Sequence, residues 1–189
     1  MLDLSPFCST EPGREFLHKP FSRNGYTYAT NGHIMVRVTL RPDVPDVEKK
    51  FNQDRPLDGI ETATFFRPSF KLPPAPPETV ECTFCDGRGY DHDCPSCQCI
   101  CDRCHGEGSL NPERQTSTLI GHTPFALNYA RQVLSLPEIE LAGLPGAKSD
   151  KPLLFRFSEG VGALMPLRSE MIDQIDIELR CQPVIGEAR

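Results

Sequence analysis

Outside its central third, the chain alternates apolar and polar residues with a period of two far more often than with the period of a helix, which predicts strands. Residues 26–30 and 33–39 are rich in aromatic and β-branched side chains. They flank Asn31-Gly32, the dipeptide favoured by a type I′ hairpin turn, and are expected to pair. Further strands are expected over 116–120, 153–157 and 161–165, the last two joined by a turn through Ser158-Glu159-Gly160. Near the C-terminus Ile175, Ile177, Leu179 and Cys181 alternate with Asp176, Glu178, Arg180 and Gln182. That is the pattern of a half-buried antiparallel strand.

Helical spacing occurs twice. Thr123 is suited to cap a helix with Pro124 at its first position, and Phe125, Tyr129, Val133 and Leu136 recur at helical intervals before Pro137 stops it. A weaker pattern over 11–18 predicts a short helix that ends before Pro20. The expected fold class is therefore α+β, an antiparallel sheet with two short helices. Glycine-rich phosphate loops and a Ser/His/Asp order are absent from the sequence.

Proline divides the chain. The run Leu72-Pro73-Pro74-Ala75-Pro76-Pro77 can form neither helix nor central strand and is expected to extend as polyproline II. Ser109-Leu110-Asn111-Pro112 marks a second boundary. Residues 78–110 then read as an insertion, with 1–72 and 113–189 closing into one domain around it. The whole chain has 189 residues and 38% hydrophobic content, enough for one good core.

Cysteine changes the picture of the insertion. Seven of the nine cysteines fall within residues 82–104, in the order C-T-F-C-D-G-R-G, C-P-S-C-Q-C-I, C-D-R-C-H-G-E-G. A C-x-x-C pair puts two thiolates on one tight turn, and two pairs supply the four soft tetrahedral ligands that zinc prefers. Cys82, Cys85, Cys101 and Cys104 are expected to form one zinc site. Cys94, Cys97 and Cys99, with His92 as the fourth ligand, are candidates for a second. Gly87, Gly89, Gly106 and Gly108 would let the backbone fold under the metal. Cys8 and Cys181 stand alone and read as small buried hydrophobes.

Net charge is −6, and its distribution matters more than its size. Between Glu78 and Ser109 there are seven acids and two bases, leaving 19 acids against 18 bases elsewhere. Four thiolates around one Zn²⁺ add about −2 to that module. Phosphate binding normally needs a basic surface, so the module is a poor DNA-reading zinc finger. The N-terminus has neither a basic nor an apolar leader pattern and no run of 18 apolar residues exists, so a cytoplasmic protein without membrane segments is expected. Clustered cysteines in that reducing compartment bind metal more often than they form disulfides.

Two resemblances add to this reading. The hairpin sequence Y-A-T-N-G-H-I-M-V-R at 28–37 resembles the A-T-D-G-H-R-L hairpin of the bacterial DNA polymerase sliding clamp, the beta processivity subunit. The segment G-A-L-M-P-L-R at 162–168 resembles the V-M-P-M-R ending of that family, and 117–137 is similar to the strand and helix before it. The order fits one clamp domain, covering residues 12–40 and 113–168. In the family these motifs line a pocket for short peptides of polymerases and repair proteins. The resemblance assigns Thr30, Gly32, His33 and Met35, with Leu164, Met165, Pro166 and Leu167, to such a pocket. Ile34 stands where the family has arginine and Asn31 where it has aspartate, making the site more apolar.

The second resemblance is to the cysteine-rich domain of DnaJ-type co-chaperones, with its repeat C-x-x-C-x-G-x-G. Residues 82–89 and 101–108 match it fully, while Cys94-Pro-Ser-Cys97 lacks the glycines. The H-P-D tripeptide of a J-domain is absent, so the resemblance implies zinc-bound hairpin architecture and not co-chaperone activity.

Three functions follow as expectations. The first is a non-enzymatic clamp-like protein in DNA replication or repair, suited to a phage or mobile element, with a protein partner and weak DNA contact as a monomer. Oligomers are compatible with it. The stretch 124–136 carries one cation, Arg131, which does not support encircling DNA. The second is a protein-interaction adaptor that uses the acidic zinc module, with the outer domain as scaffold. The third is a thiol oxidoreductase using C-x-x-C chemistry, against which the glycine pattern speaks.

Overall fold

The computed structural model describes residues 1–47, 55–68, 79–90, 99–110, 116–142, 150–168 and 177–179. Its elements in chain order are β1 (Phe21–Arg23), β2 (Tyr26–Thr30), β3 (Ile34–Thr39), β4 (Phe65–Phe66), β5 (Val80–Glu81) and β6 (Ser109–Leu110). Then come β7 (Thr116–Ile120), β8 (Thr123–Ala126), α1 (Leu127–Leu134), β9 (Glu140–Ala142), β10 (Leu153–Phe157), β11 (Gly160–Leu164) and β12 (Ile177–Leu179). Seven strands form one sheet in the order β1-β2-β3-β11-β10-β9-β4, with neighbouring strands antiparallel throughout. Strands from before and after the cysteine segment thus pair directly, β3 with β11 and β4 with β9. The architecture is α+β, mostly antiparallel sheet, with one α-helix among the described residues.

The period of two sorts side chains to the two faces of this sheet. Ala29, Ile34, Val36, Val38, Phe155 and Leu164 point to one face, where Ala130 and Val133 of α1 and Phe125 of β8 complete the main core. Phe21, Tyr28, Met35 and Ala163 point to the other and pack with Leu57. Gly162, opposite Phe155 in the β10–β11 register, leaves the space that the Phe155 ring fills.

Several expectations are corrected. The turn between β2 and β3 centres on Gly32-His33, with Gly32 at φ +91° and Asn31 outside the positive-φ region, which is the pattern of a type II′ turn rather than type I′. Asn31 instead acts through its side chain, whose Oδ1 accepts hydrogen bonds from the backbone N–H groups of His33 and Ile34, both at 2.9 Å. Thr123 and Pro124 do not start a helix. They lie in β8, which folds back on β7 through Gly121-His122, and α1 begins only at Leu127 without a side-chain cap. Proline is tolerated there because an edge strand needs no N–H, while the Pro124 carbonyl accepts from Leu167 N–H at 2.9 Å.

The expected helix over 11–18 shrinks to a single 3₁₀ turn, Glu15–Leu17. Its pattern held too few apolar positions to repay helix nucleation. At the C-terminus, β12 pairs parallel with β7 and not antiparallel. Alternation reports which residues share a face and is silent on strand direction. Cys8, expected to be buried, is half-buried against the main core, with its Sγ 3.6 Å from the Leu4 carbonyl. Cys181 lies outside the described residues.

Candidate metal centre

The two C-x-x-C-x-G-x-G segments build a pair of near-identical turns. In the first, Asp86 and Gly87 take positive φ (45° and 72°) and Gly89 follows at 78°. In the second, His105 and Gly106 (51° and 90°) and Gly108 (69°) repeat the pattern. Each turn aims a backbone N–H at its own second cysteine, Gly89 at Cys85 Sγ and Gly108 at Cys104 Sγ, both at 3.3 Å. The turns also cross-brace each other. Cys82 N–H donates to the Gly108 carbonyl and Cys101 N–H to the Gly89 carbonyl, both at 2.9 Å. The pairing of β5 with β6 on one side and the Tyr90–Ile100 bridge on the other complete a local two-fold arrangement.

Glycine is required where the turns touch. A Cβ on Gly89 would sit 2.3 Å from the Gly106 carbonyl oxygen, and one on Gly108 would sit 2.2 Å from that of Gly87. Both contacts are to backbone, so neither can be relieved by a side-chain rotation.

This bracing brings Cys82, Cys85, Cys101 and Cys104 together, with all four sulfurs within 4.8 Å of one another and all four residues buried. The Cys82–Cys101 and Cys85–Cys104 sulfurs are 3.9 and 3.7 Å apart. Tetrahedral coordination with bonds near 2.3 Å places sulfurs about 3.8 Å apart, so the cluster has the dimensions of a four-thiolate metal site. Burial pushes the Cys85 thiol up to about 11. An enclosed cation reverses that preference by supplying the positive charge that buried thiolates need. Four protein ligands leave no open position, as in a structural rather than a catalytic metal site.

Of the second candidate set, Cys94, Cys97 and His92 lie outside the described residues. Cys99 is exposed and is not part of the four-cysteine cluster.

The two motifs whose sequences resemble the sliding clamp, 28–37 and 162–168, meet at one end of the seven-stranded sheet. In the β3–β11 register Ile34 opposes Leu164 and Met35 opposes Ala163, and Met165 N–H donates to the His33 carbonyl at 2.8 Å. The eight residues assigned to a pocket do not all share a surface, however. Thr30 is buried, its hydroxyl donating to the Ile34 carbonyl at 2.7 Å. Leu164 lies in the main core and Met35 in the cluster on the opposite face, because adjacent paired positions alternate sides of a sheet. Gly32 and Met165 are exposed, while His33, Pro166 and Leu167 are half-buried. The His33 ring stacks on Tyr129 of α1, with centroids 5.1 Å apart and planes inclined by 17°. Burial holds the His33 imidazole below the ordinary histidine value. Tyr129 is the residue that the motifs did not reveal at this surface, and its helical spacing from Val133 marked it only as core.

The structure defines a class of protein, a four-cysteine cluster with the dimensions of a metal site carried by a chain with a mostly antiparallel α+β sheet. No family model matches the chain, and neither the curated proteins nor the solved structures give a match. Among the described residues no helix is long and apolar enough to cross a membrane.

Proposed function

We propose that the chain is a non-enzymatic, clamp-like protein that acts in DNA replication or repair by binding a short peptide of a protein partner, with zinc as the structural metal of its cysteine module. The observation that carries the reading is the Met165–His33 hydrogen bond. Two motifs separated by about two-thirds of the chain, both resembling the peptide pocket of one family, are neighbours at the same sheet end. We take His33, Met165, Pro166 and Leu167, assigned side chains that keep exposure, as the peptide-contacting set, with Tyr129 stacked on the His33 ring, a smaller patch than the eight-residue pocket of the family. A patch of that kind binds through a few anchor side chains. Zinc is assigned by the donor set, four cysteine sulfurs at tetrahedral spacing.

Met165 is the residue to test. It is 37% exposed, so Met165→Glu is expected to keep stability within about 0.5 kcal/mol of the native chain. His33 is a less clean choice because its stacked ring contributes to packing. Affinity capture from the host lysate should recover replication or repair proteins with the native chain and lose them with Met165→Glu. Equal recovery by both would end the reading.

Duplex DNA is expected to bind weakly to the monomer, with Kd about 10⁻⁴ M or poorer at physiological salt. The cysteine module is acidic, the rest of the chain is close to neutral, and α1 offers Arg131 as its cation. Tight, steeply salt-dependent binding in a titration with a labelled duplex would show that cations cluster in a way this charge distribution does not suggest.

A further inference from the structure

The cysteine module is small, yet it displays four of the nine large apolar side chains that are exposed among the described residues: Val80, Phe84, Tyr90 and Ile100. Phe84 is 56% exposed and Ile100 65%. Among the described residues the module has no other apolar core to receive them. Its interior is the four-cysteine cluster with Leu110 packed against it, and glycine backbones fill the remaining contact between the two turns. The apolar side chains are therefore carried on the outside of a scaffold that metal would make rigid. Phe84 sits at the tip of the first turn, with the Arg103 guanidinium of the second turn 5.9 Å from its ring centre. Tyr90 and Ile100 are bridge partners, so their side chains project from the same side of the ladder, and Ile100 lies against Gly106 of the second turn. Exposed apolar groups fixed on a rigid frame and ringed by polar ones mark a binding surface.

Charge selects the kind of partner. Glu81, Asp86, Asp102 and Glu107 belong to the same module and are all exposed. Asp102 and Glu107 make no ion pair among the described residues, whereas the Arg88 guanidinium is engaged by Asp86 at 3.4 Å and by the Cys85 carbonyl at 3.2 Å. The module carries seven acids against two bases over 78–109, and a four-thiolate zinc site adds further negative charge. Stacking aromatics on a metal knuckle would otherwise suit single-stranded nucleic acid, but a polyanion meets the wrong field here.

We propose that the metal module is a docking surface for a cationic segment of a partner protein, in which aliphatic or aromatic side chains seat against Phe84, Tyr90 and Ile100 while lysines or arginines face Asp102 and Glu107. This surface is separate from the Met165 patch and does not depend on the clamp-like reading.

The test uses the full metal-loaded chain and three fluorescent peptides of about ten residues, a length that spans a docking groove of this kind. One alternates leucine with lysine and arginine, one keeps the leucines and replaces every cation with glutamate, and one keeps the cations and replaces leucine with serine. The first is expected to bind at least roughly tenfold tighter than either control, and to weaken as salt is raised. Ile100→Ser and Phe84→Ser are expected to lose about tenfold each, and Asp102→Lys with Glu107→Lys to remove the salt dependence, with the metal-to-protein ratio unchanged in every variant. The proposal is overturned if the glutamate peptide binds as well as the cationic one, if these variants leave binding unchanged at full metal content, or if labelled single-stranded DNA binds more tightly than the cationic peptide through Phe84 and Ile100.

Discussion

Metal removal is expected to unfold the cysteine module and leave the seven-stranded sheet standing. The module's buried cluster consists of the four cysteines with Leu110, and it shares no residue with either cluster of the sheet. Without a cation, the apolar packing that the described residues offer to hold the two turns together is Leu110 on the four cysteines, since Phe84, Tyr90 and Ile100 already face water. Structural zinc supplies on the order of 10 kcal/mol of folding free energy in sites of this kind, more than a module this small can replace. Addition of a strong chelator should make Cys82, Cys85, Cys101 and Cys104 reactive toward a thiol reagent and open residues 79–110 to protease. The cooperative thermal transition of the sheet should persist. Cys82→Ser and Cys101→Ser, one from each turn, are expected to do the same. Elemental analysis that finds no zinc in protein purified without chelator would end the assignment, and loss of the whole fold on chelation would show that the module and sheet are one cooperative unit.

In the sheet itself, a large single-residue effect is expected at Gly162. A Cβ there would lie 2.2 Å from the Phe155 ring and 2.5 Å from the Met35 carbonyl oxygen. One neighbour is a core aromatic and the other is backbone of the adjacent strand, so the strand must move. Gly162→Ala is expected to cost about 3 kcal/mol or more, at or beyond the top of the usual overpacking range, because a ladder position is displaced as well. Phe155→Ala should cost about 3–5 kcal/mol by emptying the same space from the other side. The double variant tests the geometry: removing the ring does not remove the Met35 carbonyl, so Phe155→Ala should not rescue Gly162→Ala. Urea denaturation of the three variants measures this. A Gly162→Ala chain within about 0.5 kcal/mol of the native one would show that β3, β10 and β11 are not packed as described.

The cysteine module was the most legible part of the sequence. Two thiols three residues apart, followed by glycines at fixed offsets, admit few backbone paths, and the ligand set is local within each turn. What spacing did not reveal is that the turns brace each other through Cys82–Gly108 and Cys101–Gly89 hydrogen bonds, or that a glycine is needed at 89 and 108 because a carbonyl of the other turn occupies the space. The pairing of β2 with β3 and of β10 with β11 was equally readable, since alternation is a property of a short stretch, although the β2–β3 turn centres on Gly32-His33 and not on the expected Asn31-Gly32. The boundary between β8 and α1 was not. Thr123-Pro124 satisfies the local requirements of a helix start and of an edge strand alike, and the choice is made by β7 and by Leu167, which takes the Pro124 carbonyl.

Composition and spacing along the backbone were enough to mark Cys82, Cys85, Cys101 and Cys104 as one set, and to mark the acidic character of the module and which side chains alternate along each strand. Tertiary structure alone decided which strands are neighbours, that β12 runs parallel to β7, and that Met35 and Leu164 face opposite sides while Met165 lies beside His33. Register between strands distant in the chain is set by the summed burial of both faces of the sheet, a quantity that no single segment carries.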